Sequence, residues 1–243
     1  MPYRRLPNTD KARLKALKIA RFRGRELPPF KLAFSQKSNQ RLQSFVHNYE
    51  NAISYYNHCY ALQTEKNKQY IASMKKAKLY ISHFIKVLNL AVTRGDIQSE
   101  ARKYLGLNIN ESRLPPLNAE NEIIKWGEKL IKGEAHRILD KGTPVTNPTI
   151  ALVKVRYEAF METHHYQKTL QKNTARALEK LTELRKEADM IILQVWNEVE
   201  DSFKDLPDEM KRAKAKEYGL IYVYRKNELG VISIFDSRQS GAG

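Results

Sequence analysis

Residues Ser38–Arg94 read SNQRLQSFVHNYENAISYYNHCYALQTEKNKQYIASMKKAKLYISHFIKVLNLAVTR, and the phase of their apolar positions decides the fold. Leu42, Phe45, Tyr49, Ala52, Tyr56 and Cys59 follow one another in steps of three and four. Tyr70, Ala77, Tyr80, Phe84, Val87 and Ala91 resume the same phase. Such steps keep one helical face toward a partner. Neither glycine nor proline interrupts Lys31–Arg94, and Gly95 stands where the helix should stop. The middle, Gln63-Thr-Glu-Lys-Asn67, is polar enough for a turn but holds no strong breaker. We therefore expect one continuous helix of about 55 residues, about 80 Å long at 1.5 Å per residue.

A second stretch, Asn147–Asp205, repeats the pattern through Ile150, Val153, Tyr157, Phe160, Leu178, Leu181, Ala188, Ile192, Val195 and Val199. Asn147-Pro148 reads as a cap followed by a first-turn proline. Shifting the first stretch by 108 positions superposes the two registers and matches Asn39 with Asn147, Tyr49-Glu50 with Tyr157-Glu158, Val87 with Val195 and Asn89 with Asn197. That pattern suggests an internal duplication. Antiparallel packing about the polar centres would set Lys66 near Thr174, Tyr49 near Ile191 or Ile192, and Phe84 near Tyr157. Gln63 and Lys66 against Gln171 and Thr174 would then fix register.

The expected fold is mainly α: a long antiparallel helical pair or bundle with inserted helices and a small C-terminal β-hairpin. Residues 1–37 form a basic N-terminal arm, whose helix is capped near Asn8–Asp10 and ended by Gly24. Ala12, Ala16, Ile19 and Ala20 lie opposite its basic stripe, so the helix either offers its charges to phosphates or an acidic surface, or packs its apolar side on the body with the charges merely solvated. Residues 38–206 form the helical domain, with helices about 38–94 and 148–205. The inserted segment 97–142 carries a short helix at Ser99–Leu105 and a longer one from Asn118 to about Lys141. Residues 207–243 add a short helix opened by Pro207, a hairpin from Leu220–Tyr224 and Val231–Phe235, and a flexible tail.

Charge is the strongest functional signal. The formal net charge is +16. Residues 1–45 hold twelve Lys and Arg against Asp10 and Glu26, and residues 66–86 hold six Lys and no acid. Residues 187–209 hold eight acids against Lys204. A chain divided in this way attracts polyanions at one region and repels them at another. The single cysteine, Cys59, rules out an internal disulfide and a cysteine-rich zinc site, and its seam position reads as a small buried thiol. No stretch reaches the roughly 18 uncharged apolar residues of a membrane span. A cytoplasmic location follows as the expectation.

Catalytic constellations are incomplete. Glu162 and His165 have the i, i+3 spacing of di-iron bundles, but the matching positions are Ser54 and Asn57, and no other Glu-x-x-His occurs. His83, within the apolar run Leu79–Val92, reads as a core imidazole rather than a tuned acid or base. Asn89 and Asn197 read as buried amides bonded across the bundle. Glu50 and Glu158 fall near opposite ends of the pair, too far apart for joint acid–base work. The many tyrosines read as core and seam residues rather than base-stacking platforms. No phosphate-binding glycine loop, nucleophile elbow, zinc knuckle or helix-turn-helix is present, and no cofactor or metal is expected.

The opening Met1–Asp10 and the run from Lys78 to Ala91 resemble an uncharacterised bacterial family of helical proteins, over most of the chain. The resemblance implies no activity, ligand or catalytic residue.

The function expected is therefore a non-enzymatic interaction or scaffold protein. Its basic arm and Lys-rich surface would engage nucleic acid or an acidic protein surface through Arg4, Arg5, Lys11, Lys15, Lys18, Arg21, Arg23, Arg25, Lys66, Lys68, Lys75 and Lys76. One alternative is a purely structural protein–protein module, self-associating or binding a partner through its seams. Another is an enzyme with a His, Tyr and Glu pocket.

Overall fold

The computed structural model describes residues 2–224. In order, the elements are β1 (Tyr3–Arg4), α1 (Asp10–Glu26), a 3-10 turn (Pro29–Lys31), α2 (Gln36–Arg94), α3 (Ala101–Tyr104), α4 (Glu120–Leu139), α5 (Ile150–Ser202), α6 (Asp208–Lys216) and β2 (Tyr222–Val223). Helix α2 runs unbroken for 59 residues and α5 for 53, so neither polar middle is a turn. Ser35 starts α2 by accepting the Ser38 N–H on its hydroxyl, 3.2 Å. Gly95, at φ +82°, ends it. Helix α5 starts later than Asn147-Pro148 suggests. That pair is a cis peptide bond ahead of Ile150, and Thr149 accepts the Leu152 N–H. The chain divides into two compact units, Met1–His58 with Ala175–Gly243 and Cys59–Thr174.

In the first unit, the start of α2 and the end of α5 pack antiparallel. Leu42, Phe45, Val46 and Tyr49 meet Leu181, Ala188, Ile191, Ile192, Val195 and Trp196 in one core. Tyr49 thus shares a core with Ile191 and Ile192, as expected. Full burial of each large side chain stabilises by about 1.5–3 kcal/mol. Leu178, assigned to the seam, is 38 % exposed.

The same core contains Ala16, Leu17 and Ala20 of α1, so residues 1–37 are not a detached arm. The local charges of opposite sign, counted as separate regions in the sequence, lie on neighbouring helices and neutralise one another. Arg13 forks Asp189 at 2.7 and 3.0 Å, and Arg185 forks Asp10 at 2.8 and 2.7 Å. Arg4 meets Glu200 at 2.8 Å, Arg23 meets Glu217 at 2.8 Å, and Lys18 pairs with Glu50. Gly24 does not stop α1. Its missing side chain makes room for Asn39, whose amide donates to the Gly24 carbonyl at 3.1 Å, and a Cβ there would stand 2.3 Å from Asn39 Oδ1.

At the C-terminal end a two-stranded antiparallel sheet forms, with Tyr222 and Val223 of β2 opposite Arg4 and Tyr3 of β1. The second hairpin strand expected at Val231–Phe235 lies outside the described residues.

The second unit holds the end of α2, the start of α5, and α3 and α4 between them. Tyr70, Ala77, Ile81, Phe84, Ile85 and Leu88 pack on Ile123, Leu130, Val153 and Phe160, with Tyr157 partly buried at the edge of this core. The polar lock lies one to two turns from the expected register. Ser73 and Thr163 share a hydrogen bond at 2.5 Å and Gln167 donates to Asn67 at 3.4 Å, whereas Thr174 bonds its own Leu170 carbonyl. Helix α4 starts with the Glu122 carboxylate accepting the N–H groups of Asn118 and Ala119, at 2.7 and 3.0 Å.

Candidate anion-binding face

The basic residues singled out in the sequence separate into committed and uncommitted sets. In the first unit Arg4, Lys18 and Arg23 hold carboxylates. Arg25 donates to Gln43 at 2.8 Å, and Arg21 lies within electrostatic reach of Glu50. Arg5, Lys11 and Lys15 are exposed. The acids gain from this arrangement. The Asp10 carboxyl is held below the usual range by the Arg185 hydrogen bonds, against its partial burial and with help from Tyr49 and Arg13. Burial works to raise Glu198, but donors from Ser35, Ser38 and Gln194 outweigh it and hold the group low.

In the second unit the balance differs. Cys59–Thr174 contains nineteen Lys and Arg against eleven Asp and Glu. Lys66 stands 3.3 Å from its neighbour Glu65, and Lys78 donates to Asn118 at 3.0 Å. Lys68, Lys75, Lys76 and Lys86 are exposed and make no ion pair among the described residues. Steps of seven and eleven residues place Lys68, Lys75 and Lys86 on one helical stripe, about 27 Å long at 1.5 Å per residue.

Arg156 on α5 belongs with this face, and the sequence reading missed it. The unit has three arginines that are not exposed. Arg102 donates to Asn89 at 2.8 Å and to the Ile109 carbonyl at 2.6 Å. Arg137 forks Glu134 at 2.8 and 2.7 Å. Arg156 has no acceptor among the described residues. Its guanidinium lies over the Tyr80 ring at 5.5 Å, and its Nε is buried and unpaired. Beside it a cavity of about 300 Å³ is lined by Gln69, Ala72, Ser73, Lys76, Arg156 and Ala159. The short side chains of Ala72, Ser73 and Ala159 make the space. A lone basic residue in an amphipathic helix carries no sequence signal, and the lack of a partner is visible only in three dimensions.

A neighbouring cluster joins Tyr70, Glu120, His164 and Lys168. Tyr70 donates to Glu120, whose other oxygen faces Lys168 Nζ at 3.1 Å and His164 Nε2 at 3.3 Å. The Tyr70 bond is the main reason that the Glu120 carboxyl is lowered, with burial opposing and Lys168 assisting. Burial first and Glu120 second push the Tyr70 phenol up. Through Glu120 these contacts clamp α4 to the helix pair, while the buried His164 Nδ1 has no partner among the described residues.

Other expectations need correction. His83 is exposed and is not a core imidazole, because it falls on the outward side of α2 with Lys86. Asn89 is buried as expected, donating to the Ser112 carbonyl at 3.0 Å, but Asn197 is exposed and accepts from Arg4 at 2.9 Å. Glu162 and His165 are exposed, and no metal-binding group of His, Cys, Asp and Glu exists among the described residues. Among those residues no helix is long and apolar enough to cross a membrane.

Comparison with known proteins returned no match to a family model, a curated protein or a solved structure.

Proposed function

We propose that the protein is a non-enzymatic helical scaffold that binds a polyanion, nucleic acid foremost, through the lysine face of its second unit. One observation carries this reading: Lys68, Lys75, Lys76 and Lys86 have no internal counter-charge, whereas three of the seven basic residues of α1, Arg13, Lys18 and Arg23, are held by carboxylates. Clustered cations of one sign, held on a stiff helix, present a preformed track to a phosphate backbone. The N-terminal arm, foremost in the sequence, contributes stability here and leaves recognition to α2. Gel-shift titration of the full chain with a single-stranded oligonucleotide, at 50 and 200 mM salt, tests it. Binding that weakens steeply with salt supports the reading, and no binding at the lower salt overturns it.

A protein–protein module is the second reading. It draws on Leu79 and Leu90, which are 61 % and 59 % exposed and lie eleven residues apart on one stripe of α2.

A further inference from the structure

The side of the second unit that carries the lysines also carries an apolar strip. The cavity between α2 and α5 has Ala72 and Ala159 in its wall, and its surface is almost wholly apolar. Two turns along α2 from Ala72 stands Leu79, which is 61 % exposed. One and two turns back along α5 from Ala159 stand Val155 and Leu152, 55 % and 37 % exposed. The helices run antiparallel here, since Ser73 meets Thr163 and Tyr80 meets Arg156, so both steps lead the same way. The strip thus continues the cavity for about 10 Å at 1.5 Å per residue. Helix α4 packs on another side of the pair, where its Gly127 adjoins the Tyr157 ring, and leaves these side chains uncovered.

Single apolar side chains on a surface are ordinary. Three that adjoin an apolar hollow between two helices make a groove of the kind that seats the apolar face of a third. The charges beside the groove decide which helix fits. Lys75, Lys76 and Lys86 on α2 are exposed and make no ion pair among the described residues. On α5, Lys154 and Arg156 stand against Glu158 and Glu162, with Lys154 3.8 Å from Glu158. The surplus is positive. A second copy of this face would set lysine against lysine, so the groove opposes self-association. A phosphate backbone answers the lysines but buries nothing on Leu79 or Val155. A helix with Asp and Glu beside an apolar stripe answers both.

We propose that this groove docks an acidic amphipathic helix of a partner protein. One apolar side chain of that helix enters the cavity, another two turns along covers Leu79 and Val155, and its carboxylates meet the lysines of α2. The inference rests on the protein–protein reading, to which it gives a site and a partner chemistry. It also makes such a helix and a nucleic-acid strand compete for the same lysines.

The test uses the full chain and two designed helical peptides of about 18 residues, about 27 Å long. Both carry Leu and Phe at steps of three and four, with Glu flanking that stripe in one and Lys in the other. Fluorescence anisotropy follows their binding, and that of a single-stranded oligonucleotide in parallel. Saturable binding of one Glu peptide per chain is expected, with the Lys peptide at least roughly tenfold weaker. Joint replacement Leu79→Ser and Val155→Ser should weaken the Glu peptide by at least roughly tenfold, the scale of withdrawing large apolar side chains from a contact, and leave the oligonucleotide unaffected. Met190→Ser, at a 55 % exposed position of the first unit, should change neither. Absence of saturable Glu-peptide binding, or equal losses in the strip variant and Met190→Ser, would overturn the inference. Equal affinity for the two peptides, lost in the strip variant, would overturn the acidic partner and leave the protein–protein reading standing. Oligonucleotide binding that falls with peptide binding in the strip variant would assign the strip to the strand instead. The comparison of the two peptides needs no variant, so it decides even where a substitution disturbs the fold.

Discussion

Arg185 on α5 grips both carboxylate oxygens of Asp10, at 2.8 and 2.7 Å, and so ties the first turn of α1 to the helix pair. Tyr49 donates to the same carboxylate at 2.9 Å, and Arg13 stands 3.9 Å away. Asp10→Asn should cost about 2 kcal/mol at neutral pH, the scale of hydrogen bonds to charged groups. For a chain of this size that lowers the melting temperature by about 4–8 °C. The sign with pH follows from the depressed carboxyl. Its contribution is complete above the ordinary aspartate pKa of about 4 and is lost as pH falls through the lowered folded value. Wild type and Asp10→Asn should therefore differ in thermal melts at pH 7 and converge well below pH 4. A constant gap across that range would refute the ion-pair account.

Glu134 and Arg137 are buried together in α4, with Arg137 also donating to the Thr143 carbonyl at 2.6 Å and Val145 N–H donating to Glu134 at 3.2 Å. Removing one charge strands the other. Glu134→Gln should cost about 3–5 kcal/mol. Replacing both by Leu and Met should cost less than the sum of the single changes. A double-mutant cycle by urea denaturation measures the coupling, and strict additivity would show that the pair does not act as a unit.

Two glycines of α4 offer a graded test of helix packing. A Cβ at Gly133 would fall 2.1 Å from the Tyr104 carbonyl oxygen, whereas one at Gly127 would meet the Tyr157 ring at 2.3 Å. Backbone yields less readily than a ring that can turn. Gly133→Ala should destabilise by about 1–3 kcal/mol despite the gain in helix propensity, and Gly127→Ala by less. Urea midpoints in the reverse order would place α3 and α4 further apart than described.

The long helices were legible because a step of three or four leaves a mark at every turn: Leu42, Tyr49, Phe84 and Phe160 are all fully or nearly fully buried. The fate of α1 was half legible. Ala16 and Ala20 mark an apolar side that could pack on the body, but seven cations beside them left an exposed basic arm equally open, and only the core contacts decide between the two. The count also treated Arg13 and Asp189 as distant, since pairing across 176 positions leaves no local trace. His83 and Asn197 misled for a related reason. Apolar neighbours in sequence do not make a residue buried when its own angle on the helix points outward. The lysine-rich run of residues 66–86 was visible as a count, whereas the stripe that includes Lys86 follows from the unbroken helix and Arg156 became a candidate only once its missing acceptor could be seen.

The division of labour between the two basic regions is the most exposed consequence of the polyanion reading. Each phosphate contact contributes about −0.7 to the slope of log affinity against log salt for a single strand, so Lys68, Lys75, Lys76 and Lys86 together imply a slope of about −3. Exchanging Lys68, Lys75 and Lys76 for Gln should reduce that slope by about 2 and weaken oligonucleotide binding severely at low salt. Exchanging Arg5, Lys11 and Lys15 for Gln removes the same formal charge from exposed positions of the first unit. It should change the slope little, because those side chains belong to the first unit and the lysine track to the second. Fluorescence anisotropy over a salt series separates the two. A larger loss in the second variant would return recognition to the N-terminal segment. Equal losses would mean that net charge alone attracts the strand and that α2 provides no track.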